Sequence, residues 1–214
     1  MAGSLAGARH PCYNPAMDHP AKVASAQPAR RKEIVDAARE LAGGQGWPAV
    51  TVRAIAGRIG CSAPAIYQYF HNKDAILAAL AADGQAALGQ ALEAAIADVH
   101  GPVKRMRALV RAIWLFALDN RELYTVMYGG DGLAAHHDPD GRTLAPPVLR
   151  RVAAEVSAKR DIPADSENLA DRILATAHGF ISLAMAEAIP GGRERAEALL
   201  VDVLEALIKD RGRH

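Results

Sequence analysis

The chain has 214 residues, of which half are hydrophobic and only 5% aromatic, so Ala, Leu, Ile and Val must build most of any core. Two cysteines exclude a disulfide framework and fit a reducing cytoplasm. The 25 basic and 24 acidic side chains nearly cancel, yet residues 1–80 hold nine Lys and Arg against five acids, leaving 16 against 19 for residues 81–214. A basic N-terminal third on an acidic body points to a polyanion-binding head.

Residues 1–29 are rich in Ala, Gly, Pro and Ser without a helical period, which predicts a loosely held arm. Met1–His19 lacks the apolar core of a secretory signal, and no apolar run approaches the roughly 20 residues of a membrane span. From Arg30 onward the pattern is helical throughout, and no window alternates with period two. Ile34, Ala37, Ala38, Leu41 and Ala42 stripe a first helix that Gly43, Gly44 and Gly46 should stop. Thr51 caps a short second helix with Ile55, Ala56 and Ile59 inward. Gly60 turns the chain, and Ser62 caps a third short helix through Tyr69, with Pro64 in its first turn, where a missing N–H costs nothing.

Asn72 should cap a long fourth helix, residues 73–99, whose stripe is Ile76, Leu77, Leu80, Leu88, Leu92, Ile96 and Val99. Gly101-Pro102 opens a fifth helix with Val103, Met106, Val110, Ile113, Trp114 and Ala117 inward. A short sixth runs from Arg121 to Tyr128. The polar stretch Asp131 to Arg142 reads as a loop, followed by helices over 144–160, 166–188 and 193–209. The expected fold is all-α with about nine helices. It divides into an arm (1–29), a three-helix head (30–77) and a helical body (78–214).

Function concentrates in Thr51 to Lys73, TVRAIAGRIGCSAPAIYQYFHNK. Two short helices joined through Gly60-Cys61-Ser62 make a helix-turn-helix pattern, whose second helix enters the DNA major groove. Ala63 and Ala65 permit close approach, and their methyls suit thymine methyls. Gln68 can donate and accept toward adenine. Tyr67 and Tyr69 offer hydroxyls to phosphates, and two residues apart they cannot both face inward. Thr51, Arg53 and Lys73 would grip backbone oxygens, and Ser62 and Pro64 lie on the same approach surface. Arg30-Arg31-Lys32 reads either as a solvated charge run or as a minor-groove insertion.

Residues 30–77 resemble the DNA-binding domain of the TetR (tetracycline-repressor) family of bacterial transcriptional regulators. The likeness rests on Ala38, Leu41, Gly46, Thr51, Ile55, Ala56, Gly60, Ser62, Tyr67, Phe70, Lys73 and Leu77, in order and at the family's spacing. The stretch around Trp114, Tyr124–Tyr128 and His178-Gly179-Phe180 resembles one C-terminal subtype, departing from it at Ala177. The resemblance implies a homodimer whose last two helices build a four-helix interface, here through Phe180, Ile181, Leu200, Val203, Leu204 and Leu207. It also implies a small-molecule effector that enters the body, shifts the fourth helix and releases a pseudopalindromic operator.

Trp114, Phe116, Tyr124, Met127 and His178 are the candidate effector contacts, against the plainer reading of each as core. Uncharged inward stripes favour a largely apolar effector. His136, His137, Asp138 and Asp140 can bind metal but lack ligand spacing, so no metal site is expected. No GxxxxGK[ST], GxSxG or HExxH sequence occurs, so neither an enzyme nor a cofactor is expected. The partners foreseen are double-stranded DNA, a second copy and an effector, without a membrane. An architectural DNA-binding protein and a small helical enzyme are the rival readings.

Overall fold

The computed structural model describes residues 20–128, 145–160 and 166–209. Among them lie nine helices: α1 (Pro20–Gln45), α2 (Val52–Arg58), α3 (Ala63–Tyr67), α4 (Lys73–Ile96), α5 (Pro102–Asp119), α6 (Arg121–Tyr128), α7 (Pro147–Arg160), α8 (Ser166–Met185) and α9 (Gly192–Lys209). A 3-10 turn at Trp47–Ala49 is added, and the described residues contain no strand. The expected arm before Pro20, the loop holding His136, His137, Asp138 and Asp140, and Cys12 lie outside the described residues.

Helix α1 departs from expectation at both ends. It starts at Pro20, not Arg30, because Pro at the first position loses no hydrogen bond and Ala21, Ala24, Ala26 and Ala29 favour helix over the single N–H missing at Pro28. It also runs through Gly43 and Gly44. The chain turns only at Gly46, whose φ of +76° is left-handed and whose N–H closes on the Ala42 carbonyl at 2.8 Å. Helix α2 starts where Thr51 predicts, its Oγ1 accepting from the Ala54 N–H at 3.1 Å. Ser62 occupies the N-cap position of α3 but makes no side-chain cap, and Pro64 removes one of the donors such a cap would serve. Helix α3 ends at Tyr67, two residues early, and continues as a turn in which the Tyr69 and Phe70 N–H groups share the Ile66 carbonyl. Asn72 caps α4 through Oδ1 and the Ala75 N–H at 2.8 Å.

Helix α4 has the length and the mean hydropathy, 1.3 over 18 residues, of a membrane span, contrary to the expectation that no run comes close. Its ten alanines raise the average, while Asp83, Gln85, Gln90 and Glu93 interrupt it. Its larger side chains, Ile76, Leu80, Leu88, Leu92 and Ile96, are buried in the protein.

The chain divides into two compact units after Leu80, inside α4. In the head, α1 packs on α2 and on the 3-10 turn, and α2 on α3, around Ile34, Ala38, Val50, Ile55, Ile66 and Phe70. In the body, α5 packs on α6, α7, α8 and α9, and α8 on α7 and α9. Met106, Leu109, Ile113, Trp114, Leu149 and Ile173 sit at its centre. Arg151 forks onto Glu93 at 2.7 and 3.0 Å, Arg105 meets Glu155 at 2.7 Å, and Arg107 forks onto Glu205. Gly84 of α4 admits α6 so closely that an added Cβ would stand 2.6 Å from Met127 Sδ and 2.9 Å from Leu123 Cδ1.

Candidate functional site

The head presents α3 outward from a buried base. Ile66 and Phe70, 1% and 3% exposed, anchor it in the core, while Tyr67 is 54% exposed. Ser62, Pro64 and Gln68 are also exposed, and Ala63, Ala65 and Tyr69 are half-buried. Thr51 and Arg53 stand exposed at the start of α2, and Lys73 is half-buried at the start of α4. None of the ten residues expected to meet DNA is buried. This surface carries small side chains, an amide, two phenols and cations, the groups that groove and phosphate contacts require.

Ion pairing decides where the head's charge is left. Arg30 meets Glu33 at 2.5 Å, Lys32 meets Asp36 at 2.6 Å, and Arg58 forks onto Glu40 at 2.6 and 3.0 Å. Arg53 and Lys73 have no carboxylate partner among the described residues, so the unneutralised charge includes the two cations expected at phosphates. Arg31 donates from Nη1 to the Tyr69 carbonyl and lies over the Phe70 ring, 4.1 Å from its centroid. Sequence reasoning missed this contact, since no local periodicity links residues 38 positions apart.

In the body, the five candidate effector contacts are largely interior. Trp114, Tyr124 and Met127 are 2%, 1% and 0% exposed, and Phe116 and His178 are half-buried. The Tyr124 hydroxyl pairs with His178 Nδ1 at 3.2 Å, and Ser182 Oγ lies 3.4 Å from Nε2. A phenol donating to Nδ1 leaves the imidazole proton on Nε2, where it serves Ser182, so one neutral tautomer meets both contacts. Tyr128 completes the cluster, its ring centroid 4.6 Å from that of Tyr124 and 5.5 Å from that of His178. Burial pushes both phenols above the usual tyrosine range and lowers the pKa of His178, favouring neutral forms of all three. Two surface grooves, one at His100, Lys104 and Lys159 and one between α1 and α2, include none of the five.

The family description "Bacterial regulatory proteins, tetR family" matches residues 34–80, and "Tetracyclin repressor-like, C-terminal domain" matches residues 106–207. The chain belongs to the TetR family. It is 28% identical over 195 residues to the HTH-type transcriptional regulator BetI of Rhizobium meliloti, covering 87% of this chain and 93% of that one. A protein of unknown function from Rhodococcus sp. RHA1 superposes with a TM-score of 0.66 at 26% identity, covering 84% of this chain and 93% of that one. The TetR-family regulator PfmR from Thermus thermophilus shares the fold, with a TM-score of 0.57 at 21% identity over 84% of this chain and 99% of that one. This TetR-family protein is a DNA-binding transcriptional regulator, not an enzyme.

Burial alters one expectation drawn for the regulator. Of the six residues assigned to a subunit interface, Ile181, Leu200 and Leu204 are 0–2% exposed within the single chain, where they join α8 and α9 to their own core. Helical period identifies a buried face without saying what buries it. Phe180 and Leu207 are half-buried and Val203 is 37% exposed. Leu183, outside that set, is 46% exposed on α8.

Proposed function

We propose that this TetR-family regulator is a cytoplasmic homodimeric repressor that binds a pseudopalindromic operator and is released by a small, largely apolar effector. Each α3 would lie in a major groove, with Gln68 reading a base and Tyr67, Arg53 and Lys73 holding phosphates. The carrying observation is the exposure of Ser62, Tyr67 and Gln68 on and beside α3, over buried Ile66 and Phe70 and flanked by cations without carboxylate partners among the described residues.

The dimer reading draws on a second surface. Leu183 and Val203 are exposed and apolar, and they lie with Phe180, Leu199 and Leu207 at spacings of three and four on α8 and α9. That ridge, rather than the Leu200 and Leu204 face, is the seam we assign to the partner subunit. For the effector, Trp114 and Met127 supply apolar contact, and the Tyr124 and His178 pair offers a hydrogen bond. Because these side chains are packed, the effector must open the body to enter, and α4 transmits the change. Linkage then requires DNA to weaken effector binding by the factor with which effector weakens DNA binding.

Selection of bound duplexes from a random pool, followed by thermal-shift screening of small molecules, tests the reading. The expected result is one enriched twofold-symmetric site and stabilisation by weakly charged compounds. Equal binding to enriched and random duplex would make the protein an architectural DNA binder instead. Stabilisation by highly charged compounds alone would remove the apolar effector.

A further inference from the structure

Helix α3 spans only Ala63–Tyr67, too short to sustain its own geometry, since a first helical turn fixes more torsions than its hydrogen bonds repay. Its direction must come from tertiary contacts. Ile66 and Phe70 fix the inner side. From outside the helix-turn-helix segment, Arg31 of α1 reaches the carbonyl of Tyr69 and covers the ring of Phe70. One planar guanidinium thus does two jobs at the negative end of α3: it donates to a carbonyl and stacks on an aromatic face. The same α1 grips α2 through Glu40 and Arg58.

We propose that Arg31 is a positioning residue for sequence recognition, setting the pitch of α3 through Tyr69 and Phe70 without touching DNA. The inference rests on the reading that the outer face of α3 meets base edges. Base-edge hydrogen bonds demand placement within a fraction of an ångström, whereas phosphate contacts act largely through charge and tolerate displacement. Loss of Arg31 leaves a carbonyl that water can reach, since Tyr69 is only half-buried, so the head stays folded while α3 samples a wider range of pitch.

The test uses the full chain, the duplex that the unmodified protein enriches from a random pool, and a random duplex of equal length, titrated over a salt series. Arg31→Gln should lower affinity for the enriched duplex about tenfold and for the random duplex less than about twofold, leaving the salt slope of each unchanged. Arg31→Lys keeps a cation over Phe70 and should recover part of the preference. Should Arg31→Gln unfold the head, Arg31→Lys carries the comparison alone, with a preference below that of the unmodified protein. An equal loss on both duplexes, with the salt slope flattened by about one unit, would show that Arg31 contacts a phosphate and overturn the proposal. An unchanged preference would overturn it too. If the unmodified protein enriches no sequence, base reading by α3 fails first, and the role of Arg31 falls with it.

Discussion

In the head, the candidate DNA-contacting side chains stand exposed or half-buried on and around a five-residue helix, and charged contacts from α1 reach the motif. In the body, Trp114, Tyr124 and Met127 lie inside, packed among long helices. A site for DNA can be complete before its ligand arrives, because a groove is a large external object. The effector site proposed for the body would have to be opened, and such an opening could carry a signal. The head therefore displays its candidate surface, while the candidate effector contacts of the body are enclosed.

The contrast breaks most sharply at α9. Leu200→Glu places a carboxylate at a position only 2% exposed and should destabilise the body by about 3 kcal/mol or more, lowering the thermal midpoint. Val203→Glu, three residues on and 37% exposed, should leave that midpoint within a few degrees but shift sedimentation from dimer to monomer and abolish operator binding. Matching effects of the two changes would erase the distinction between core face and subunit seam.

At α4, Gly84→Val overfills the approach to Met127 and Leu123 and should cost about 1–3 kcal/mol in denaturant unfolding. In the head, Gln68→Ala should relax preference at one base pair by roughly 1–3 kcal/mol. Lys73→Ala should instead weaken all duplexes alike and flatten the salt slope by about one unit. Uniform effects of both would leave Gln68 without a reading role.

The smallest effect expected is on pH dependence. Burial lowers the folded-state pKa of His178 below its ordinary 6.5, so the unfolded chain takes up the proton first as pH falls. Its contribution to stability is complete above pH 6.5 and is lost as pH drops toward the folded pKa. The difference in stability between the unmodified protein and His178→Gln should therefore narrow as pH falls from about 7 to about 5.5. A difference that stays constant would show that His178 does not titrate differently on folding.

Much of the fold was legible because capping and glycine signals act locally. Thr51, Gly60 and Asn72 stand where their chemistry predicts, and α6 has the bounds its pattern implies. The misreadings share a cause in competition between local and tertiary terms. Pro28 and Gly43-Gly44 look like helix breakers, yet one missing donor and two flexible residues are outweighed by the surrounding alanines and by α1's packing. The outer surface of α3 was legible from motif spacing. The Arg31 contact was not, since the same sequence fits a solvated run equally well. Nor could periodicity separate Leu200, buried within the chain, from exposed Val203, because both belong to an apolar stripe.

Paired major-groove reading by two copies of α3 is tested most directly by a hydroxyl-radical footprint of the enriched duplex. Such reading predicts two protected segments related by a twofold axis, with centres about 34–36 Å apart along the duplex or a multiple of that. A single protected segment, or uniform protection without symmetry, would contradict it.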